Sequence, residues 1–402
     1  RRQRQMCIRD RACTMNRPIG PMRALECSLL RGGTSKGVFF GAGILPPPGA
    51  ERDAWILRVL GSPDLRQIDG LGGADRLTSK IAIVEASTRE DCDVDYLFAQ
   101  VDPRHAEVDW QRNCGNLAAA AAVYALNRGL AAAGVDADVA TVRIHQVNTG
   151  RRVVARVPLA SGQPAVHGDY ALGGVPGTGA RIDLDFRDFA ASALGRGVLP
   201  TRRVTDTLQL TGGLALNVTL LDFANLHAFV RLADLLPHAA EHTVDTLGAD
   251  TVLLGRLAEV HAAVRQRIEQ TGNETASRPT ADPILYLLAP ASDYVTLNGE
   301  KVLHTGYDLR SFSFANGRFS KAHPVSGALA LAVATQVKDS VVHRLCGPAM
   351  PVHDRDFRIG HPGGLLDVGA KVDDTGEQPH VLEASLARTA RLLFDGRAYI
   401  TV

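Results

Sequence analysis

In the stretch ERDAWILRVLGS, Trp55, Ile56, Val59 and Leu60 recur at the spacing that lines one side of a helix. Elsewhere the pattern alternates, and DVDYLFAQV (93–101) predicts a strand. TVRIHQVN (141–148) and RRVVARVPL (151–159) predict paired strands, and VFF and IAIVE predict strands after 37 and 80. The second half repeats the scheme. Strands are expected in TLQLTG and LALNVTLLDF, helices in LADLLPHAAEH and ADTVLLGRLAEVHAAVRQRIEQ, and a buried strand in PILYLLAP. GHPGGLLDVGAKV and RTARLLFDGRAYITV then close the chain as strands. Each half also holds one alanine-rich helix, LAAAAAVYALNRGL and SGALALAVATQV, apolar nearly all round and therefore expected to be buried. A domain boundary is expected near 183–188.

Composition narrows the class. The chain has 402 residues, 45% of them hydrophobic, and a net charge of +1, enough apolar mass for two globular domains. Near-neutral charge argues against nucleic acid as the main partner, and no apolar run reaches the length of a membrane span. Cysteines at 7, 13, 27, 92, 114 and 346 form neither a C-x-x-C pair nor a disulfide framework, and no signal peptide is visible, so a reducing cytoplasm is expected. The basic N-terminus RRQRQMCIRDRACT lacks apolar periodicity. Residues 1–21 read as a disordered or foreign extension, with the native chain starting at Met15 or Met22.

Two stretches raise the question of chemistry. RGGTSKG (31–37) and DGLGGADRLTSK (69–80) each set Thr-Ser-Lys beside a glycine-rich turn that leads into a strand. A nucleotide P-loop needs Lys before Ser or Thr and a helix after it. Here Lys36 follows Ser35 and a strand follows, so a nest of N–H groups suited to small carboxylates fits better than phosphate. Lysine is scarce (36, 80, 301, 321, 338, 371), and lysine, unlike arginine, can give up its proton. In DWQRNCGN, Cys114, Gly115 and Asn116 open a helix, where Asn caps, free N–H groups attract anions and a thiolate is stabilised. Ser326 and Gly327 open the second apolar helix in the same way, without a thiol. No metal-ligand spacing, flavin signature or nucleophile elbow is present.

The motifs RGGTSKG, GLGGADRLTSKIAIV, DVDYLFAQV, DWQRNCGNLAAA, VRIHQVN, KAHPVSGALALA, RIGHPGG and RTARLLFDG follow one another as in the PrpF family, which the chain resembles over roughly residues 22 to 402. The resemblance implies an α+β, diaminopimelate epimerase-like fold. It has two similar domains, each a β-sheet wrapped around a central helix, with the active site in the interdomain cleft. The domains would be 22–185, joined by a returning strand at about 386–402, and 186–385.

The function the resemblance implies is a cofactor-independent isomerase. It would shift a C=C bond by allylic proton transfer in a small unsaturated di- or tricarboxylic acid of the 2-methylaconitate, aconitate, 4-oxalomesaconate or methylitaconate type. Lys80 and Cys114 would be catalytic. Arg31, Thr34, Ser35, Lys36, Ser79, Asn113, Gly115, Asn116, Lys321, Ser326, Gly327 and His361 would bind substrate, with no metal and no cofactor. The partners implied are a polycarboxylate, a second copy of the chain, and a functional link to an aconitase-like dehydratase. A racemase or epimerase of the same fold would need a second thiol where Ser326 stands, and a non-catalytic accessory protein to such a dehydratase is the reading from another class. Three departures lie in the second half, Gly363 in GHPGG, Ser320 before KAHPVSG, and LNVTL at 216–220. They bear on the substrate more than on the reaction type.

Overall fold

The computed structural model describes residues 22–111, 113–134, 137–236, 242–271, 282–347 and 356–401. The N-terminal stretch 1–21, expected to be an extension, lies outside them. The chain divides into two compact units, one from the described part of Arg1–Leu184 together with Arg388–Val402, the other Asp185–Ala387.

The first unit is a sheet bent around a helix. β1 (Met22–Gly32), β2 (Ser35–Phe40), β3 (Lys80–Ala86), β4 (Val94–Val101), β5 (Val139–Gln146) and β6 (Arg151–Ala160) neighbour one another in chain order. The last strand of the chain, Ala390–Thr401, pairs antiparallel with β1 on its other side. The β2–β3 and β4–β5 pairs are parallel and the others antiparallel. Each parallel pair needs a crossover, and each crossover is a helix: α1 (Ala50–Leu60) between β2 and β3, and α2 (Gly115–Asn127) between β4 and β5.

α1 behaves as its spacing predicts. It buries Trp55, Ile56, Val59 and Leu60 against Leu25, Cys27, Val38, Phe40, Ala398 and Ile400. Full burial of such side chains contributes about 1.5–3 kcal/mol each. α2 is buried from Leu117 to Ala125 and touches β1 to β6 and the last strand of the chain, because runs of alanine let strands approach from all sides.

The second unit repeats the order and sense of strands. Asp206–Gln209 pairs antiparallel with β7 (Ala215–Phe223), and β7 with β8 (Asn225–Arg231). β8 is parallel to β9 (Ile284–Pro290), β9 antiparallel to β10 (Leu309–Ala315), β10 parallel to β11 (Phe357–His361), and β11 antiparallel to β12 (Gly364–Asp373). The parallel crossovers again carry helices, α3 (Thr251–Gln270) and the buried α4 (Val325–Gln336). Of the helix expected over LADLLPHAAEH, only Leu232–Leu235 is helical among the described residues. β1 is a strand that hydropathy alone does not announce, because it is buried along most of its length and does not alternate.

Candidate active site

RGGTSKG is the turn of a hairpin. Gly32 and Ser35 face each other across β1 and β2, leaving Gly33 and Thr34 as the two-residue loop. Gly33 has φ +53°, a value such tight turns require and glycine adopts without strain. A Cβ there would also lie 2.5 Å from Asn116 Oδ1. The Gly33 N–H donates to Thr389 O at 2.9 Å and the Lys36 N–H to Leu77 O at 2.9 Å, so part of the expected N–H nest is taken by the protein's own carbonyls. Arg31 braces the same turn. Its Nη1 donates to Gly33 O at 2.9 Å and to Thr389 O and Oγ1 at 3.0 Å. Burial, with Arg391 nearby, pulls the Arg31 pKa below its usual value.

Cys114 is the N-cap of α2 and is 8% exposed. Sequence reasoning gave the cap to Asn, but no side chain caps this helix start. The Cys114 thiol lies 3.8 Å from Ser35 Oγ, and its carbonyl accepts from the buried Tyr96 hydroxyl at 3.3 Å. Asn116, one residue into the helix, ties the hairpin to the chain's end. Its Nδ2 donates to Thr34 Oγ1 at 3.3 Å, and its Oδ1 accepts from Arg388 Nε at 2.7 Å. Arg388 is buried, and desolvation pulls its guanidinium down to about 10, with the electrostatic influence of Tyr170 and Cys114 acting the other way. A buried cation beside a helix start suits a carboxylate. Asn113 is exposed and Gly115 half-buried at the same start.

The two Thr-Ser-Lys turns lie side by side. In the parallel β2–β3 pair Gly37 stands opposite Lys80, which sets Lys36 level with Ser79. A Cβ on Gly73 would lie 3.2 Å from Lys36 Nζ and 2.4 Å from Thr78 Oγ1, so this glycine admits both side chains. Ser79 is fully buried and donates its hydroxyl to Gln67 Oε1 at 2.7 Å. Gln67 in turn fills the space where a Cβ of Gly72 would be, 2.2 Å away. Ser79 and Gly72 thus hold the glycine-rich loop together.

Lys80 is 6% exposed at the first position of β3. Its amine donates to Gln100 Oε1 at 2.6 Å and lies 5.2 Å from the centre of the Phe98 ring.

In the second unit Lys321 is exposed. Ser326 lies inside α4, whose N-cap is Pro324, and its hydroxyl accepts from Asn225 Nδ2 at 3.0 Å. Gly327 is glycine for packing. A Cβ there would sit 1.8 Å from the Tyr286 hydroxyl, so the bare backbone makes room for that ring. His361 Nδ1 accepts the Gly363 N–H at 3.1 Å, and its ring stands edge-on to His323 at 6.0 Å. Gln67, Gln100 and Arg388 escaped sequence reasoning. The available signal was a glutamine at an inward position of an alternating strand, a residue type rarely buried without cause.

A buried amine, a buried thiol at an open helix start and a buried guanidinium are thus gathered in one unit of a repeated α+β architecture. Residues 22–401 match the family described as PrpF protein, and the chain belongs to that family. It is 35% identical to the 2-methyl-aconitate isomerase of Shewanella oneidensis over 394 residues, covering 95% of this chain and 98% of that protein. It is 36% identical to the 3-methylitaconate isomerase of Eubacterium barkeri, covering 94% and 97%, and 37% identical to the 4-oxalomesaconate tautomerase of Pseudomonas putida, covering 92% and 95%. The crystal structure of a methylitaconate-delta-isomerase superposes with a TM-score of 0.83 at 34% identity, over 95% of this chain and 97% of that one. The α+β fold and the family implied by the sequence motifs are those found.

Proposed function

We propose that the protein is an isomerase that moves a carbon–carbon double bond within a small unsaturated di- or tricarboxylic acid. A base removes a proton from the carbon next to the double bond. The charge spreads into the conjugated carboxylate, and the proton returns at the far carbon. Nothing is oxidised or reduced, so the step needs no redox cofactor. Lys80 is the proton carrier in this reading. The open start of α2 and the Arg388–Asn116–Thr34 chain hold the carboxylate and stabilise the charge that develops. Cys114 either returns the proton or orients the anion.

The observation that carries the reading is the burial of the Lys80 amine in the unit that also presents an uncapped helix start bearing a thiol. The relatives named above act, by their names, on acids of this class. Dehydration of a hydroxytricarboxylate yields such acids, which makes an aconitase-like dehydratase the functional neighbour this chemistry suggests. A homodimer and a cytoplasmic location complete the proposal. Among the described residues no helix is long and apolar enough to cross a membrane.

The test is turnover of the variants Lys80→Ala and Lys80→Arg on 2-methylaconitate, methylitaconate and 4-oxalomesaconate. Double-bond absorbance reports turnover, and deuterium uptake from solvent reports proton exchange. General acid–base catalysis contributes roughly 10²–10⁴-fold, and both variants should lose at least that, since guanidinium keeps its proton. Lys80→Ala that turns over and exchanges near the wild-type rate removes lysine from the mechanism.

A further inference from the structure

Lys80 and Gln100 are directly opposed across the antiparallel β3–β4 pair. Directly opposed side chains share one face of a sheet, close enough for a long amide to reach a lysine amine. Here the contact is short, with Lys80 Nζ donating to Gln100 Oε1 at 2.6 Å. Both residues are 6% exposed.

A buried amide is costly unless its hydrogen bonds are made. Gln100 makes them in a way that leaves it one orientation. Its Nε2 donates to Arg76 O at 2.9 Å, Ser79 O at 3.0 Å and Val101 O at 3.2 Å. Carbonyls only accept, so turning the amide over would set its oxygen against three others. Its oxygen is therefore committed to the lysine, and the Phe98 ring two residues earlier flanks the amine.

The acceptor is also neutral. An ammonium and a neutral amine can both donate to an amide oxygen, so this bond survives when the proton leaves. It takes one N–H and turns the lone pair of the neutral amine away from Oε1. A carboxylate in the same place would favour the ammonium.

We propose that Gln100 is the positioning residue of the reaction: oriented by three backbone carbonyls, it holds the Lys80 amine at a fixed point through both halves of the proton transfer. The inference rests on the reading of Lys80 as the proton carrier. Gln100 acts only through Lys80.

The experiment compares Gln100→Met, Gln100→Glu, Lys80→Ala and the Lys80→Ala/Gln100→Met double variant. Each is measured for kcat, KM, deuterium uptake into substrate, melting by circular dichroism, and the pH profile of kcat. Methionine keeps the length and removes the acceptor. A misplaced reacting group costs up to roughly 100-fold, so Gln100→Met should lose about 10- to 100-fold in kcat, with KM within about twofold. Glutamate loses the same Nε2 donors as methionine but adds charge beside the amine. The rising limb of its kcat profile should move at least about one pH unit to the alkaline side, a shift that lost donors alone do not produce. In the Lys80→Ala background, Gln100→Met should cost nothing further, because two residues acting as one unit are not additive.

If Lys80→Ala is inactive while Gln100→Met keeps kcat within twofold, the positioning role is overturned and the Lys80 reading stands. An unshifted limb in a folded Gln100→Glu enzyme overturns it as well. Should Gln100→Glu fail to fold, the kcat against KM split of Gln100→Met decides alone. If Lys80→Ala itself keeps turnover, the Lys80 reading falls and the inference falls with it.

Discussion

Two buried imidazoles should make the second unit acid-labile well above the range in which carboxylates titrate. His227 is fully buried and His323 is 8% exposed. His227 Nε2 lies 3.0 Å from Phe223 O, which only accepts, so that nitrogen carries the hydrogen and Nδ1 has no hydrogen-bond partner. His323 Nδ1 faces Pro324 O at 3.1 Å and Nε2 faces Ser311 Oγ at 3.0 Å, which assigns the hydrogen to Nδ1. Burial lowers both pKa values from 6.5 to about 4, the backbone carbonyls opposing it and, for His227, the neighbouring His323 adding to it. The folded values lie below the unfolded ones, so as pH falls the unfolded chain takes up the protons first. The stabilisation is whole above the unfolded pKa and is lost as pH falls from about 6.5 toward 4.

Each pKa unit is worth about 1.4 kcal/mol, so between pH 7 and pH 5 each ring should remove about 2 kcal/mol and the pair roughly 3–4 kcal/mol. That is a large part of the roughly 5–15 kcal/mol by which domains are stable. Asp91, held down to about 2 chiefly by its hydrogen bond from Arg89, contributes to a different window, below about pH 4. The assay is urea unfolding at pH 7, 6 and 5 for wild type, His227→Phe and His323→Gln. Each single variant should flatten the slope by about half, with m unchanged. A wild-type midpoint that does not move between pH 7 and 5, or variants that keep the full slope, would refute the reasoning.

Removing the Tyr286 hydroxyl should be neutral or stabilising by up to about 1–3 kcal/mol, because the group is buried without a hydrogen-bond partner. A drop in melting temperature for Tyr286→Phe counts against that account. Gly72→Ala should cost about 1–3 kcal/mol through collision with the Gln67 amide 2.2 Å from the new Cβ, and Gln67→Ala should relieve part of that cost in the double variant. Additive losses in thermal melts would show that the collision is not the cause.

What the sequence made legible follows from what its patterns encode. The apolar face of α1 and the all-round alanine of α2 and α4 report burial directly, and the structure buries them. Cys114 stood out as a thiol beside a helix start, whereas Lys80 was singled out among six scarce lysines by the resemblance of its Thr-Ser-Lys turn to that of the family. Gln100 did not stand out, since its importance lies in which backbone carbonyls surround it, and those come from a loop and the end of a strand. Glycine was the most ambiguous signal. A bare backbone says that something comes close and leaves its identity open. At Gly33 the neighbour is Asn116, at Gly72 it is Gln67, and at Gly327 it is Tyr286.

The repeated architecture sharpens the choice between moving a double bond and inverting a stereocentre. The strand topology makes β9 the counterpart of β3 and α4 the counterpart of α2. Where β3 begins with Lys80, β9 begins with Ile284, and where α2 is capped by Cys114, α4 is capped by Pro324 and follows it with Val325 and Ser326. Two-thiol racemisation needs a thiol at both helix starts. Among the described residues the other cysteines are Cys27, Cys92 and Cys346, and none lies at such a start. Burial holds their thiols protonated, pushing Cys27 up to about 11 and Cys346 to about 12, and raising Cys92 with help from Asp91. A thiol so raised is a poor nucleophile near neutral pH. The triple variant Cys27→Ala, Cys92→Ala, Cys346→Ala should therefore keep kcat within about threefold, while Cys114→Ala should lose at least about tenfold if the thiol returns the proton. Turnover by absorbance and deuterium uptake at each exchanged carbon measure both. Loss of isomerisation in a folded triple variant would mean that a second thiol takes part, and the reading of Cys114 as the one reacting thiol would have to be given up.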